Sequence, residues 1–150
     1  MNDLRELYQE VILDHNKNPK NFRKLPHATH SSEGYNPLCG DRLQLYLEIE
    51  DGVIKDIGFE GSGCAISKAS ASMMTTILKG KTVAQAREFF KKFQALITGQ
   101  GEIHFDASAV GKLAVFAGVR EFPVRVKCAS LSWHTMLAAL DKDKSVTSTE

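Results

Sequence analysis

Arg42-Leu43-Gln44-Leu45-Tyr46-Leu47-Glu48-Ile49-Glu50-Asp51-Gly52, continued by Val53 to Glu60, decides the fold. Leu43, Leu45, Leu47 and Ile49 alternate with Arg42, Gln44, Tyr46 and Glu48, the two-residue period of a half-buried strand. Asp51-Gly52 is a turn pair that accepts positive φ at both positions, so Val53–Glu60 returns as the second strand of a hairpin. Downstream, Gly61-Ser62-Gly63 breaks the strand. Ile66, Ala69, Met73 and Ile77 then recur at helical spacing over 65–78, and Gly80 closes that helix. Thr82 with Gln85 forms a capping box for a helix to about Ile97, built on Val83, Ala86, Phe89, Phe90 and Phe93. Thr98 to Phe105 reads as a Gly-rich loop and 107–117 as a short helix. Glu121-Phe122-Pro123-Val124 reads as an extended approach to Cys128, with a last helix from about Ala129 to Leu140.

Upstream, Leu4, Leu7, Val11 and Ile12 share one helical face, which predicts an amphipathic helix from Asp3 to about Asn16, closed by Asn18-Pro19. Lys20 to Glu33 is polar and reads as loop with at most one short edge strand. The expected architecture is α+β: a small antiparallel three-stranded sheet packed against several helices. At 150 residues, with no repeat and no linker, one domain spanning 1–150 is expected, about 141–150 being a frayed tail. A net charge of +1 gives no footprint for nucleic acid, and no apolar run approaches the roughly 20 residues of a membrane span. The mixed-charge start, Met1-Asn2-Asp3-Leu4-Arg5-Glu6, lacks a signal-peptide apolar region, so a cytoplasmic location is expected.

Three cysteines in such a setting are expected to be reduced thiols. Composition alone suits inert packing as well as chemistry. Their positions favour chemistry. Cys39 sits in Asn36-Pro37-Leu38-Cys39-Gly40-Asp41, directly before the first hairpin strand, and Cys64 sits directly after the second. A tight hairpin returns the two to one end of the sheet. Cys64 also opens a helix, where free N–H groups and the helix dipole favour a thiolate. Asp41 is two residues from Cys39, and Cys128 would join through tertiary folding. Three thiolates and a carboxylate form a tetrahedral set suited to zinc, while thiolates also suit iron–sulfur clusters. With no CxxC pair, the set reads as one able to exchange a ligand. A thiolate freed from a metal is a nucleophile toward persulfide sulfur. His27, His30 and His104 read as solvated loop residues, and His15 as a helix-end residue. His134, a turn or two beyond Cys128, is an alternative ligand. Asn36-Pro37-Leu38 reads as turn-shaping. The Phe89-Phe90-Phe93 cluster and the Met73-Met74 pair read as core.

Three separated motifs carry a resemblance: Asn36 to Asp41, Gly61-Ser62-Gly63-Cys64-Ala65-Ile66-Ser67-Lys68-Ala69-Ser70, and Phe122-Pro123-Val124-Arg125-Val126-Lys127-Cys128-Ala129. With Asp14-His15 through Asn18-Pro19-Lys20-Asn21, they resemble the IscU/NifU-N family of iron–sulfur cluster assembly proteins over nearly the whole chain. Within it the chain is most similar to the SufU branch. Lys127 stands where scaffold-type members carry His, Glu121-Phe122-Pro123-Val124-Arg125 replaces a Leu-Pro-Pro-Val-Lys chaperone segment, and residues 98–119 look like the SufU insertion. The resemblance implies the IscU-like fold and zinc held by Cys39, Asp41, Cys64 and Cys128. Cys39 would accept persulfide sulfur from a pyridoxal-phosphate-dependent, SufS-like cysteine desulfurase and pass it to downstream Suf scaffold components. Arg125 would steady charge on the thiolates, a surface ion pair being its plainer role. The alternative is a non-enzymatic scaffold that binds iron and builds a transferable [2Fe–2S] cluster on the same residues.

Overall fold

The computed structural model describes residues 2–98, 116, 119, 122–142, 147 and 148, with backbone alone at 2–8, 147 and 148. The alternating stretch forms the expected hairpin. Strand β2 (Asp41–Glu50) pairs antiparallel with β3 (Val53–Ser62), Leu45 facing Phe59 and Leu47 facing Ile57, with an irregularity between Glu48 and Ile49. Asp51 and Gly52 take φ of 53° and 73°, the double left-handed conformation whose twist suits a two-residue hairpin. The edge strand is longer than the sequence suggests. β1 (His30–Asn36) pairs antiparallel with β2 along its whole length, Ser32 opposite Leu45 and Asn36 opposite Asp41. Seven polar or small residues carry too little apolar alternation to announce a strand, and β2 imposes it on them. Thr147 and Ser148, inside the stretch expected to fray, form a two-residue strand (β4) parallel to Gly34 and Tyr35 of β1. The sheet order is β3-β2-β1-β4.

Helix α1 is Asn2–Lys17, α2 Ala65–Leu78, α3 Val83–Thr98 and α4 Pro123–Leu140. Helix α2 lies against β3, and α4 against β1 and β2, while α1 covers α2 and α3 covers α4. Leu43, Leu45, Leu47, Ile57 and Phe59 point from the sheet into this helical layer and are buried. Each contributes about 1.5–3 kcal/mol of transfer free energy, which ties the sheet end carrying the cysteines to a rigid floor. Met73 and Met74 complete the floor, and Phe93 stacks on Trp133 at 4.7 Å, so both expected core groups are core. Phe116 packs edge-on against Phe93; the rest of the helix expected over 107–117 lies outside the described residues. The capping box is present, Thr82 and Gln85 exchanging backbone-to-side-chain bonds of 2.9 and 3.1 Å. At the α1–α2 contact, His15 Nδ1 lies 2.7 Å from Ser72 Oγ, which also accepts from the Lys20 N–H.

The start of the last helix corrects the sequence reading. Pro123 is its first residue rather than part of an extended segment, so Cys128 lies inside α4 instead of ahead of it. Proline suits a first helical position because its φ is preset and the N–H it lacks would have no intrahelical partner there.

Candidate metal centre

The β1–β2 connection is four residues, 37–40, with Asn36 and Asp41 paired across its base. Gly40 adopts φ +70°, where a Cβ is disfavoured, and this turn aims Asp41 inward while leaving Cys39 exposed. Asp41 is fully buried. Where the hairpin returns to this same end of the sheet, Gly61 and Gly63 run against β2 so closely that a Cβ on Gly63 would lie 2.9 Å from the Asp41 Cα. That approach delivers Cys64 as the N-cap of α2, its sulfur accepting from the Ser67 N–H at 3.4 Å. Cys128 arrives from α4 and is buried.

Three of these four side chains converge on one point, and Cys64 lies at its margin. The Cys39 and Cys128 sulfurs are 3.2 Å apart, and ligand atoms of Cys39, Asp41 and Cys128 lie within 4.8 Å of one another. Cys64 joins through Asp41: its N–H donates to Oδ1 at 2.7 Å, and its sulfur lies 3.7 Å from Oδ2. The Cys64 thiol is pulled down to about 7, chiefly by a hydrogen bond from the Cys128 thiol and also by the Ser67 and Ile66 N–H groups, against burial and the Asp41 charge. Cys128 is pushed well up, because its proton is held toward Cys64 and its site is desolvated.

Asn36 is the site residue that sequence reasoning assigned only to the turn. It is fully buried, and its amide donates to Asp41 Oδ2 at 3.2 Å and to the Cys128 sulfur at 3.4 Å. A polar residue next to proline and three before a cysteine was the available signal, but its partner 92 positions away was not legible. His134 is not brought to the site. It packs edge-on against Phe90 and its Nε2 lies 3.3 Å from Gln94 Nε2, so it belongs to the α3–α4 contact. Arg125 is exposed, its guanidinium 4.5 Å over the Phe122 ring, so its described partner is an aromatic face rather than a thiolate.

The donor chemistry fits a cation. Asp41 is a buried carboxylate with no lysine or arginine partner among the described residues; its bonds come from neutral N–H and S–H groups. A charge held this way is costly unless a cation completes it. Four-coordinate zinc with bonds of about 2.3 Å to sulfur implies sulfurs roughly 3.8 Å apart, so Cys39 and Cys128 would separate by a few tenths of an ångström to receive it.

Comparison with known proteins gives a consistent result. The family model of the NifU-like N-terminal domain matches residues 7–129. The chain is 39% identical to the zinc-dependent sulfurtransferase SufU of Bacillus subtilis over 142 residues, covering 95% of each chain. It is 41% identical to the iron–sulfur cluster assembly scaffold protein IscU of Thermotoga maritima over 137 residues, covering 91% of this chain and 94% of that one. A crystal structure of a candidate iron–sulfur cluster assembly scaffold protein for the SUF system from Fervidobacterium islandicum superposes with a TM-score of 0.82 at 38% identity, covering 91% of this chain and 98% of that one. An N-terminal NifU-like structure from Brucella abortus, at 22% identity and a TM-score of 0.81, shares the fold. No helix among the described residues is long and apolar enough to cross a membrane. With its sheet, its converging thiols and these relatives, the chain belongs to the NifU-like N-terminal domain family of iron–sulfur cluster assembly proteins.

Proposed function

We propose that the protein is a zinc-dependent sulfurtransferase that accepts persulfide sulfur on Cys39 from a SufS-like, pyridoxal-phosphate-dependent cysteine desulfurase. The observation that carries this reading is the asymmetry of the site: Cys39 is exposed on a short loop while Cys128 and Asp41 behind it are buried. Cys39, Asp41, Cys64 and Cys128 would hold zinc, which keeps bound thiols deprotonated at neutral pH. The Cys39 thiolate attacks the outer sulfur of the partner's persulfide. A new S–S bond forms on Cys39 as the partner's own S–S bond breaks, and the partner cysteine leaves as a thiolate. Downstream Suf scaffold components take the sulfur by the same exchange.

The test is desulfurase turnover with this protein as acceptor. Cys39→Ala abolishes the stimulation, and unchanged turnover with that variant removes the proposal. The Thermotoga relative, named a scaffold, supports a second reading, in which iron and sulfide build a transferable [2Fe–2S] cluster on the same residues. Anaerobic reconstitution separates them: a stable, transferable visible chromophore favours the scaffold, and zinc that resists replacement favours the transferase. Lys127, next to Cys128, offers no imidazole as an extra cluster ligand and so favours the transferase.

A further inference from the structure

We infer that Asn36 is the positioning residue that decides which sulfur of the site is released for chemistry. The inference rests on the reading that these residues hold a metal. The geometry behind it is specific. Asn36 closes the base of the Cys39 loop opposite Asp41, is fully buried, and spends both amide hydrogens on candidate ligands: one on Asp41 Oδ2 at 3.2 Å, the other on the Cys128 sulfur at 3.4 Å. Its carbonyl Oδ1 accepts from the Leu38 N–H at 3.3 Å, which fixes the amide's orientation. A residue that only shaped the turn would need the Oδ1 contact alone. Here the NH₂ group faces inward, where an unpaired donor would be costly.

Donation of an N–H to a thiolate draws charge from the sulfur, weakens it as a nucleophile and orients it toward its metal. Cys128 receives this from Asn36, and Cys64 receives it from the Ser67 N–H at 3.4 Å. Among the described residues, the contact to the Cys39 sulfur is another thiol, that of Cys128. Two sulfurs are therefore tied by nitrogen donors, and the solvent-facing one is not. Sulfur exchange is thereby directed to Cys39 by a side chain that neither binds the metal nor meets the cargo.

The experiment uses the full-length, zinc-loaded chain with limiting iodoacetamide and mass-spectrometric mapping of each cysteine. Wild type is expected to be modified at Cys39 at least about tenfold faster than at Cys128. Asn36→Asp keeps the shape and the Leu38 acceptor but removes both donors, and Asn36→Ser keeps a turn-type acceptor without the reach. In both, the Cys39-to-Cys128 ratio should fall toward one, and zinc release to a chromogenic chelator should quicken by about 10–100-fold. A merely structural role would alter stability without changing the order of alkylation. Either variant keeping the wild-type order and release rate overturns the inference. Should both misfold, the wild-type chain loaded with cadmium-113 decides it: scalar coupling between the metal and the Asn36 side-chain amide protons is expected, and its absence overturns it. A wild-type chain that retains no zinc through dialysis, or whose zinc survives removal of Cys39, Asp41 and Cys128, fails the metal-holding reading itself and is told apart at the first step.

Discussion

Asp41 grips Cys64 twice, its Oδ1 accepting the Cys64 N–H at 2.7 Å and its Oδ2 lying 3.7 Å from the Cys64 sulfur. The first residue of β2 is thus bonded to the N-cap of α2, at the open end of the hairpin. The same carboxylate that would complete a metal also seats a helix.

Asp41→Ala is expected to weaken the metal more than the fold. On the proposed ligand set the variant lacks one of four donors, and zinc affinity should fall by at least about tenfold, near 1.4 kcal/mol. The metal-free form also sheds an uncompensated buried charge, which offsets part of the lost Cys64 bond. The thermal midpoint gained on adding zinc should therefore shrink sharply, and a gain equal to wild type would contradict this.

Chelation should loosen the site without unfolding the domain. Structural zinc contributes on the order of 10–16 kcal/mol in small peptides, a sum comparable to the roughly 5–15 kcal/mol of a whole domain. Here, however, Leu45, Leu47, Ile57 and Trp133 form a core that needs no ion. Circular dichroism should keep its helical signal after chelation, while hydrogen exchange rises at 37–41, 62–67 and the first turns of α4. Complete loss of secondary structure is the contrary result.

Gly63→Ala should expel the metal while sparing the fold. A Cβ there meets the Asp41 carboxylate and backbone, and overpacking of this kind typically costs about 1–3 kcal/mol. The cost falls on the ligand that must move, so zinc content after gel filtration should drop well below that of wild type. Full zinc content in the variant would show that Asp41 yields freely.

His134 gives the fold a pH dependence unrelated to the thiols. Burial holds its pKa below 6.5, so the native state takes up its proton less readily than the unfolded chain does. Stability is complete above about pH 6.5 and is lost as pH falls from there toward the folded value. Urea midpoints between pH 7 and 5 should decline for wild type and decline less for His134→Phe, which keeps a ring against Phe90. Equal slopes would assign the acid sensitivity elsewhere.

The hairpin was legible because β2 is amphipathic on a strict two-residue period and Asp51-Gly52 admits one turn geometry. Helices α2 and α3 were legible from apolar spacing and the Thr82–Gln85 box. β1 was not, since Ser31, Ser32, Glu33 and Gly34 owe their extended form to pairing with β2. Gly34 has a further reason that spacing hides: any side chain there would run into Thr135 of α4. Glu121-Phe122-Pro123-Val124 reads as extended from sequence because proline suits an extended segment, although its backbone serves a helix start equally well. Cys39, Asp41 and Cys64 stood out at hairpin ends. The nearness of Cys128, and the role of Asn36 between them, depend on how α4 crosses β1, which local pattern does not encode.

Only Cys39 among the three cysteines reaches solvent freely, with Leu38 beside it 60% exposed. Under the proposed transfer chemistry, a donor delivering sulfur and a recipient collecting it would queue for one small square of surface. Loading and unloading would then exclude each other in time, and a recipient abundant enough to linger there would throttle the donor without touching any other part of the molecule.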